Sequence, residues 1–519
     1  AVKVVADAVA MTLGPKGKDK TFAMPDGRLV VTNDGASVVT YLQPKHPAAK
    51  LLMDVAHAQD VVAGDGTSSA TIIANELLAQ AKRLVEADIH PTTIITGYRM
   101  AANKAIEILR TKAVKVGDKR DDLISVAKVP LASKIVRIAM DELSALTVDA
   151  CEIVMEEDES TETGKTVNLS LINVLKQKGG TLRDSKLIKG VVIRKPVLHP
   201  AMPKKIENAK IALLNTDLTA ETRAIGVEIV PRDAEEVFIL REKYKKIMED
   251  MVDTIAKSGA KVVVSQTKIN PSAFQRLAKN GILCIDEVPK ADMDRLLNAV
   301  GGRIVTVLET LEPQDLGDAG LVEEVKTGGV KYIEITECPN PKSVTIMLRG
   351  ASDYILDEAE RIMIDCGSVV RNAIEDGLVV YGAGGVEVEI AKDLRLWAQG
   401  IKGTEQMAVM GFALALEEIP RQLAINAGYS ASELLAELRD KHQGSKKNVW
   451  WGVDVHNGGI LDAKKENIME PLRVKEQYIK GATDLAELII SVDDVIVTRA
   501  GMTGRMAKAA EAGSFGISE

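Results

Sequence analysis

Aromatic residues make up only 3% of the 519-residue chain. Any core must therefore be mainly aliphatic, and stacking platforms for nucleic-acid bases are in short supply. Histidine is scarce at six, and none of the six shows metal-ligand spacing. His46, His90 and His199 each precede a proline, which reads as the start of a helix or a turn. The four cysteines (Cys151, Cys284, Cys338, Cys366) lie far apart without a CxxC pair. That argues against a disulfide framework or a structural zinc site, and it fits a reducing, cytoplasmic compartment. Positive charge has no surplus: 66 Lys and Arg stand against 74 Asp and Glu, for a net charge of −8. A nucleic-acid-binding chain should carry the opposite balance. No apolar run approaches the ~18 residues that span a bilayer, and nothing near residue 1 reads as a signal peptide. The chain begins at Ala1 without a methionine, which leaves room for a short leader outside it.

What is present is ordinary globular composition, 46% hydrophobic and 27% charged over 55.8 kDa, enough for one to four domains. Residues 1 to about 125 read as mostly helical. Ala6–Leu13 forms a short helix before the loop Gly14-Pro15-Lys16-Gly17, and Asp26-Gly27 is a hairpin turn leading into the strand Leu29–Thr32. Helices follow from Pro47, from Thr67 and from Pro91. The second of these places Ile73, Leu77, Leu78, Ala81, Leu84 and Val85 on one face. From about 190 to 349 short apolar runs alternate with helical patterns, which is α/β layering. After about 350 helix returns and continues to Lys508, interrupted by strands near Val379-Val380 and around Asp454–Asp462. An α/β domain between two helical halves is either an insertion or the middle of three sequential domains; periodicity does not separate the two.

Five segments carry possible chemistry. Gly64-Asp65-Gly66-Thr67-Ser68-Ser69 opens an amphipathic helix, where free N–H groups, hydroxyls and the helix dipole favour phosphate. A carboxylate beside phosphate needs a cation between them, which makes Asp65 a natural Mg2+ ligand. The same string also reads as an Asp/Gly turn with Thr67 as the helix cap. Leu13-Gly14-Pro15-Lys16-Gly17 is a loop able to wrap a nucleotide or simply to stop a helix, and it lacks the GxxxxGK[ST] pattern of a P-loop. Asn33-Asp34-Gly35 reads as a cap or turn. Gly382-Ala383-Gly384-Gly385 permits close backbone approach. Asp365 sits on a helix whose other face is Ile362, Val369 and Val370, and such an aspartate ordinarily points to solvent.

Taken in order, LGPKG at 13–17, TNDG at 32–35, HPAAK at 46–50 and AGDGTSS at 63–69 resemble a chaperonin equatorial domain. The resemblance is to the group II type, the archaeal thermosome and its eukaryotic cytosolic relatives, or a bacterial member of that branch. It continues through HPAMPKKIENAKIALLN at 199–215, DLGDAGLVEE at 315–324, RNAIEDGLVVYGAGG at 371–385 and IMEPLRVK at 468–475. The resemblance implies a mixed α and α/β subunit of three nested domains. These are an equatorial ATP-binding domain from 1–125 and 384–519, an intermediate hinge from 126–190 and 350–383, and an α/β apical domain at 191–349. A built-in helical protrusion at about 222–253 would close the chamber, without a separate lid protein. The implied activity is ATP-driven folding of non-native polypeptides in a stacked double ring, with no nucleic acid or membrane as partner.

The same resemblance assigns roles. Asp65 would hold Mg2+ on ATP, with Gly66, Thr67, Ser68 and Ser69 around the phosphates. Leu13, Gly14 and Pro15 would cover them, and Gly35 would stand beside them. Gly382, Ala383 and Gly384 would approach the sugar side, where Glu470 would meet the ribose. Asp365 would orient or deprotonate the attacking water, assisted by Asp34. Asp65 and Asp365 fall in different domains, so domain closure would gate hydrolysis. The chain departs from the family pattern twice. Ala132-Ser133-Lys134 stands where a TGK segment is usual, leaving Ser133 and the γ-phosphate-sensing Lys134 without the glycine, and Ala383 replaces the middle of three glycines. The C-terminal Gly501–Gly516 stretch lacks a repeated Gly-Gly-Met tail. In the apical helix, Ile247, Met248, Met251 and Val252 suit either promiscuous contact or core packing, and the spacing favours core. The rival functions are a phosphotransferase acting on a small molecule and a non-catalytic nucleotide-binding scaffold.

Overall fold

A computed structural model of the chain describes residues 1–493 apart from positions 26, 28, 117–119, 133–134, 220–233, 341 and 445–448. The amino-terminal helices are α1 (Val2–Ala10), α2 (Gly35–Leu42), α3 (Pro47–Ala63), α4 (Thr67–Glu86) and α5 (Pro91–Lys112). An antiparallel hairpin, Lys20–Ala23 with Leu29–Thr32, separates the first two. Next come α6 (Arg120–Ala132) and α7 (Met140–Ile153), then α8 (Ala234–Ser258), α9 (Pro271–Lys279) and α10 (Lys290–Val300) among strands. The carboxy-terminal part holds α11 (Asp353–Asp376), α12 (Gly385–Ala398), α13 (Glu405–Leu416), α14 (Glu418–Ala427), α15 (Ala431–Gly444) and α16 (Leu472–Ile490).

Local chemistry explains several of these ends. Proline opens α3 and α5 at a position whose N–H has no helical partner anyway, and His46 and His90 cap them. The ring Nδ1 accepts from Ala48 N–H at 3.2 Å in the first case and from Thr92 N–H at 3.3 Å in the second. His199 turns the chain in the same way, accepting from Ala201 N–H.

Among the described residues four large cores result, with a small fifth cluster of Ile188, Val192, Tyr332 and Met347. The first joins both ends of the chain, α1–α5 against α12–α16, with Tyr98 edge-on to Phe412 at 5.9 Å in its interior. The second packs α6, α7 and α11 on a three-stranded sheet in the order Ile172–Lys178, Val344–Gly350, Lys186–Ile188. The third and fourth cover opposite faces of a seven-stranded sheet. Along the strand Lys205–Leu214, Ala212 and Leu214 face α8 and α9, while Ile211 and Leu213 face α10, as a period of two requires. This sheet is mixed. Val262–Ser265 runs parallel to Lys205–Leu214, and Gly317–Thr327 runs antiparallel to it.

Some expectations shift. The segment 454–462 is not one strand but a hairpin, Trp451–Val453 paired with Ile460–Asp462. Asp454 makes the turn between them by accepting the His456 and Asn457 amides at 3.0 Å. Val85 is exposed because it lies beyond the end of the α4 contact, although Ile73, Leu77 and Ala81 are buried as expected. In α8, Met248, Val252 and Ile255 are buried in the third core, so the core reading of that helix holds. The segments 222–233 of the expected protrusion and 501–516 of the tail lie outside the described residues.

Candidate functional site

The site is built on the turn between α3 and α4. α3 ends at Gly64 and α4 is preceded by Gly66, both in the left-handed region at φ +70° and +83°. A side chain in that region carries backbone strain, which glycine avoids. Thr67 is not the cap of α4 as the turn reading had it. Gly66 holds that position and supplies no side-chain cap, so the first-turn N–H groups keep their capacity for an anion. Asp65 projects from the same turn, its Oδ1 accepting Gly66 N–H at 2.6 Å. Gln59 fixes the turn from behind, donating from Nε2 to the Asp65 carbonyl at 2.7 Å and to that of Val474 at 3.2 Å.

Asp365 is buried rather than solvated, with 8% of its surface exposed. The solvent-facing position of the helix here is Ile364, while the neighbouring faces of α11 pack against the α3–α4 turn and the second core. A Cβ at Gly64 would overlap Ser368 Cβ and lie 3.1 Å from the Asp365 carbonyl oxygen. Asn372, two turns along, donates to the Ala63 carbonyl at 2.9 Å. Residues distant in sequence, Asp65 and Asp365, thus belong to touching backbone segments. Asp34 caps α2, accepting Ser37 N–H at 2.8 Å. Its neighbour Gly35 packs on the α4 terminus, where a Cβ would stand 2.7 Å from both the Thr67 and Ser68 hydroxyls.

The two glycine loops share one wall. At Gly14 a Cβ would overlap Leu423, and at Gly384 it would come 2.8 Å from Pro420. Both partners lie on α14, so small residues at 14 and 384 are what let the loops close on that helix. Ala383 stands in the left-handed region at φ +58° despite its methyl group, and its carbonyl accepts Val453 N–H at 2.8 Å.

Strand pairing brings in Glu470, which lies opposite Val380. A Cβ at Gly382 would overlap its Oε1. Lys475 Nζ bridges Glu470 at 2.6 Å and Glu387 at 2.8 Å, and Tyr478 donates its hydroxyl to Glu387. Burial would push the Glu387 carboxyl up, but Lys475 overcomes this and the net shift is downward. Glu470 shifts the other way: burial raises it, and the Glu387 and Asp65 charges add, against the pull of Lys475.

These parts enclose a cavity of about 480 Å3, within the usual range for small-molecule pockets. Leu13, Gly14, Pro15, Asp65, Gly66, Ser69, Ala383, Gly384 and Glu470 line it. Asp34, Gly35, Thr67, Ser68, Asp365 and Gly382 do not line it; Gly35 packs on Thr67 and Ser68, Gly382 on Glu470, and the Asp365 backbone on Gly64. Ser133 and Lys134 lie outside the described residues. The sequence reading leaves out the apolar end, made by Ile419, Leu423, Val453, Val455 and Leu461, and two lysines of the lining, Lys128 and Lys475. Lys128 pairs with Asp141 at 2.6 Å. In the sequence Lys475 stands between Arg473 and Glu476 at the start of α16, so no local signal sets it apart. Among the described residues no group of three or more His, Cys, Asp or Glu is placed to hold a metal by itself. One hard carboxylate with neighbouring hydroxyls fits Mg2+, which takes few protein ligands and completes its shell with phosphate oxygens and water.

The sequence model of the TCP-1/cpn60 chaperonin family matches residues 5–500. Over 500 residues the chain is 44% identical to a thermosome subunit of Methanopyrus kandleri, spanning 96% of this chain and 91% of that one. It is 42% identical over 500 residues to the thermosome subunit alpha of Archaeoglobus fulgidus, with the same coverage of 96% and 91%. A thermosome subunit of Methanocaldococcus jannaschii is 42% identical over 495 residues, 95% of this chain and 90% of its own. The chain therefore belongs to the TCP-1/cpn60 chaperonin family as a group II subunit, one of the ATP-dependent double-ring chaperones of protein folding.

Proposed function

We propose that the cleft binds Mg2+·ATP and hydrolyses it, and that hydrolysis drives closure of a folding chamber around non-native polypeptide. One observation carries this reading: the turn that holds the half-buried Asp65 at the uncapped α4 terminus packs directly against the helix that bears the buried Asp365. In the reaction, first-turn amides of α4 and the Thr67, Ser68 and Ser69 hydroxyls bind phosphate oxygens. Asp65 would hold Mg2+, which offsets phosphate charge when bound. Asp365 orients the attacking water and takes its proton, with Asp34 alongside. Leu13, Gly14 and Pro15 exclude water from above, and Ala383, Gly384 and Glu470 receive the sugar. Lys134 and Ser133 would approach the terminal phosphate from the hinge.

The first core supports an equatorial domain of 1–125 with 384–519, and the second an intermediate domain of 126–190 with 350–383. The sheet with its two covered faces supports an apical domain at 191–349, whose protrusion at about 222–253 acts as the lid without a separate lid protein. Val237, Phe238 and Ile239 are exposed at the start of α8, an apolar surface suited to unfolded chain. All four cysteines are free, three of them buried, which suits a reducing cytoplasm. Among the described residues no helix is long and apolar enough to cross a membrane. The thermosome relatives support the chaperonin reading and give no support to a phosphotransferase.

The test is negative-stain imaging with and without Mg2+·ATP, together with turnover of an Asp365→Ala variant. Double rings that close with nucleotide, and a variant that binds ATP but hydrolyses it at least ~100-fold more slowly, are expected. Parent-rate hydrolysis by Asp365→Ala would remove the catalytic assignment, and isolated subunits under both conditions would remove the chamber.

A further inference from the structure

The most heavily buried charges near the cleft are not those of the phosphate end. Lys475 retains 4% of its side-chain surface and Glu387 none. Glu470 is 17% exposed, on the cleft wall. An ammonium group withdrawn from water to this degree persists only when carboxylates surround it. Lys475 has two, at 2.8 and 2.6 Å. Glu387 is already served by the Tyr478 hydroxyl. Among the described residues no second donor to Glu470 is found, and the backbone closes on it from the other side, since a Cβ at Gly382 would overlap Oε1. Its carboxylate thus lies between Gly382 and the Lys475 ammonium group, on the wall of the cavity.

We propose that Lys475 is a positioning residue that holds Glu470 as an ionised acceptor for the sugar hydroxyls of the nucleotide, so that the site prefers ribose over deoxyribose. This rests on the nucleotide reading of the cleft given above. Lys475 also lines the cavity, so the Glu470→Gln and double variants are what distinguish an effect carried by Glu470 from direct contact. Burial and the Glu387 charge already raise the Glu470 carboxyl against the pull of Lys475, and without that ammonium group, 2.6 Å away, they would favour the protonated form. A neutral carboxyl loses the charge-assisted bond, worth about a tenfold change in affinity. Lys475 also neutralises Glu387, so its removal alone leaves that group without its counter-charge inside the protein. The test has to separate these two consequences.

Equilibrium binding of Mg2+·ATP and Mg2+·2′-deoxy- and 3′-deoxy-ATP to the full chain, measured by titration calorimetry, does so. The parent should prefer ATP to at least one deoxy form by about tenfold. Lys475→Met should lose that preference, and Glu470→Gln should lose it equally, with the double variant no worse than either single one. Lys475→Met/Glu387→Gln keeps the interior free of an orphaned charge and should still lack the preference. A role confined to structure would weaken all three nucleotides alike. Retention of the parent preference in Lys475→Met/Glu387→Gln overturns the proposal, as does a parent that binds ATP without sugar preference. A parent that binds no Mg2+·ATP overturns the nucleotide reading itself, a distinguishable outcome.

Discussion

Gly64 offers a direct test of the contact that joins the two halves of the site. Gly64→Ala introduces a methyl at φ +70°, overlapping Ser368 Cβ and 3.1 Å from the Asp365 carbonyl oxygen. The left-handed conformation costs an alanine about 1–2 kcal/mol. Ser368 Cβ is fixed to its helix and cannot rotate aside, so the overlap adds about 1–3 kcal/mol unless α11 moves. Movement of about 1 Å away from the turn would relieve it, at the expense of the Asp65–Asp365 geometry, and such a displacement costs catalysis about 100-fold. Gly428→Ala separates the two terms, because Gly428 has φ +84° and nothing within 4 Å of its would-be Cβ. ATP turnover at saturating Mg2+·ATP and apparent melting temperature are the assays. Gly64→Ala should lose most turnover and melt well below Gly428→Ala, which should turn over at the parent rate. Removing the opposing methylene in Gly64→Ala/Ser368→Gly should recover part of the loss. Equal behaviour of the two alanine variants would refute the packing argument.

Glu389 accepts from Lys112 at 3.0 Å, Lys392 at 2.6 Å and His442 at 2.8 Å. Burial raises its carboxyl, but the three donors outweigh burial and bring it from 4.5 down to about 2. The unfolded chain therefore binds more protons here. The stability Glu389 lends is complete above about 4.5 and is lost as the pH falls through about 2. Glu389→Gln should cost about 3–5 kcal/mol at neutral pH and flatten the acid end of the melting profile; an unchanged acid profile would contradict this. Ala383→Gly should raise the melting temperature slightly, by less than about 1 kcal/mol of stability, because relief of the left-handed strain is partly offset by unfolded-chain entropy. Its nucleotide affinity should match the parent in calorimetry.

Local signals in the sequence were read well where one residue type has one structural use. Proline after histidine marked the starts of α3 and α5, and Asp34 took the cap that its Asn-Asp-Gly setting indicated. The part of the cavity at the α4 start, Asp65, Gly66 and Ser69, was legible for the same reason, since these residues sit close together in the chain. The opposite end was not. Ile419, Leu423, Val453 and Val455 are ordinary core residues in sequence, and only the tertiary packing of α14 and the 451–462 hairpin turns them toward a cavity. Lys475 escaped notice because burial decides its meaning, and a lone lysine on a helix usually faces water. Asp365 reads as solvent-facing on its own for the mirror reason: the turn at Gly64, which packs against its helix, is about 300 positions away in the chain.

α11 shows how one helix serves two cores with different chemistry. Ala359, Ile362, Cys366, Val369, Val370 and Ala373 bury one face in the second core. The other face meets the first core through polar or small contacts at intervals of three and four residues. Arg361 reaches Thr32 at 3.2 Å, Ser368 abuts Gly64, Asn372 bonds the Ala63 carbonyl, and Glu375 and Asp376 pair with Arg473. The second core therefore holds the helix by apolar area, and the first by a few specific bonds, of which Asn372 to the Ala63 carbonyl is fully buried. On the ATPase reading proposed above, relative motion of Asp65 and Asp365 must break and re-form these bonds while the second core stays packed.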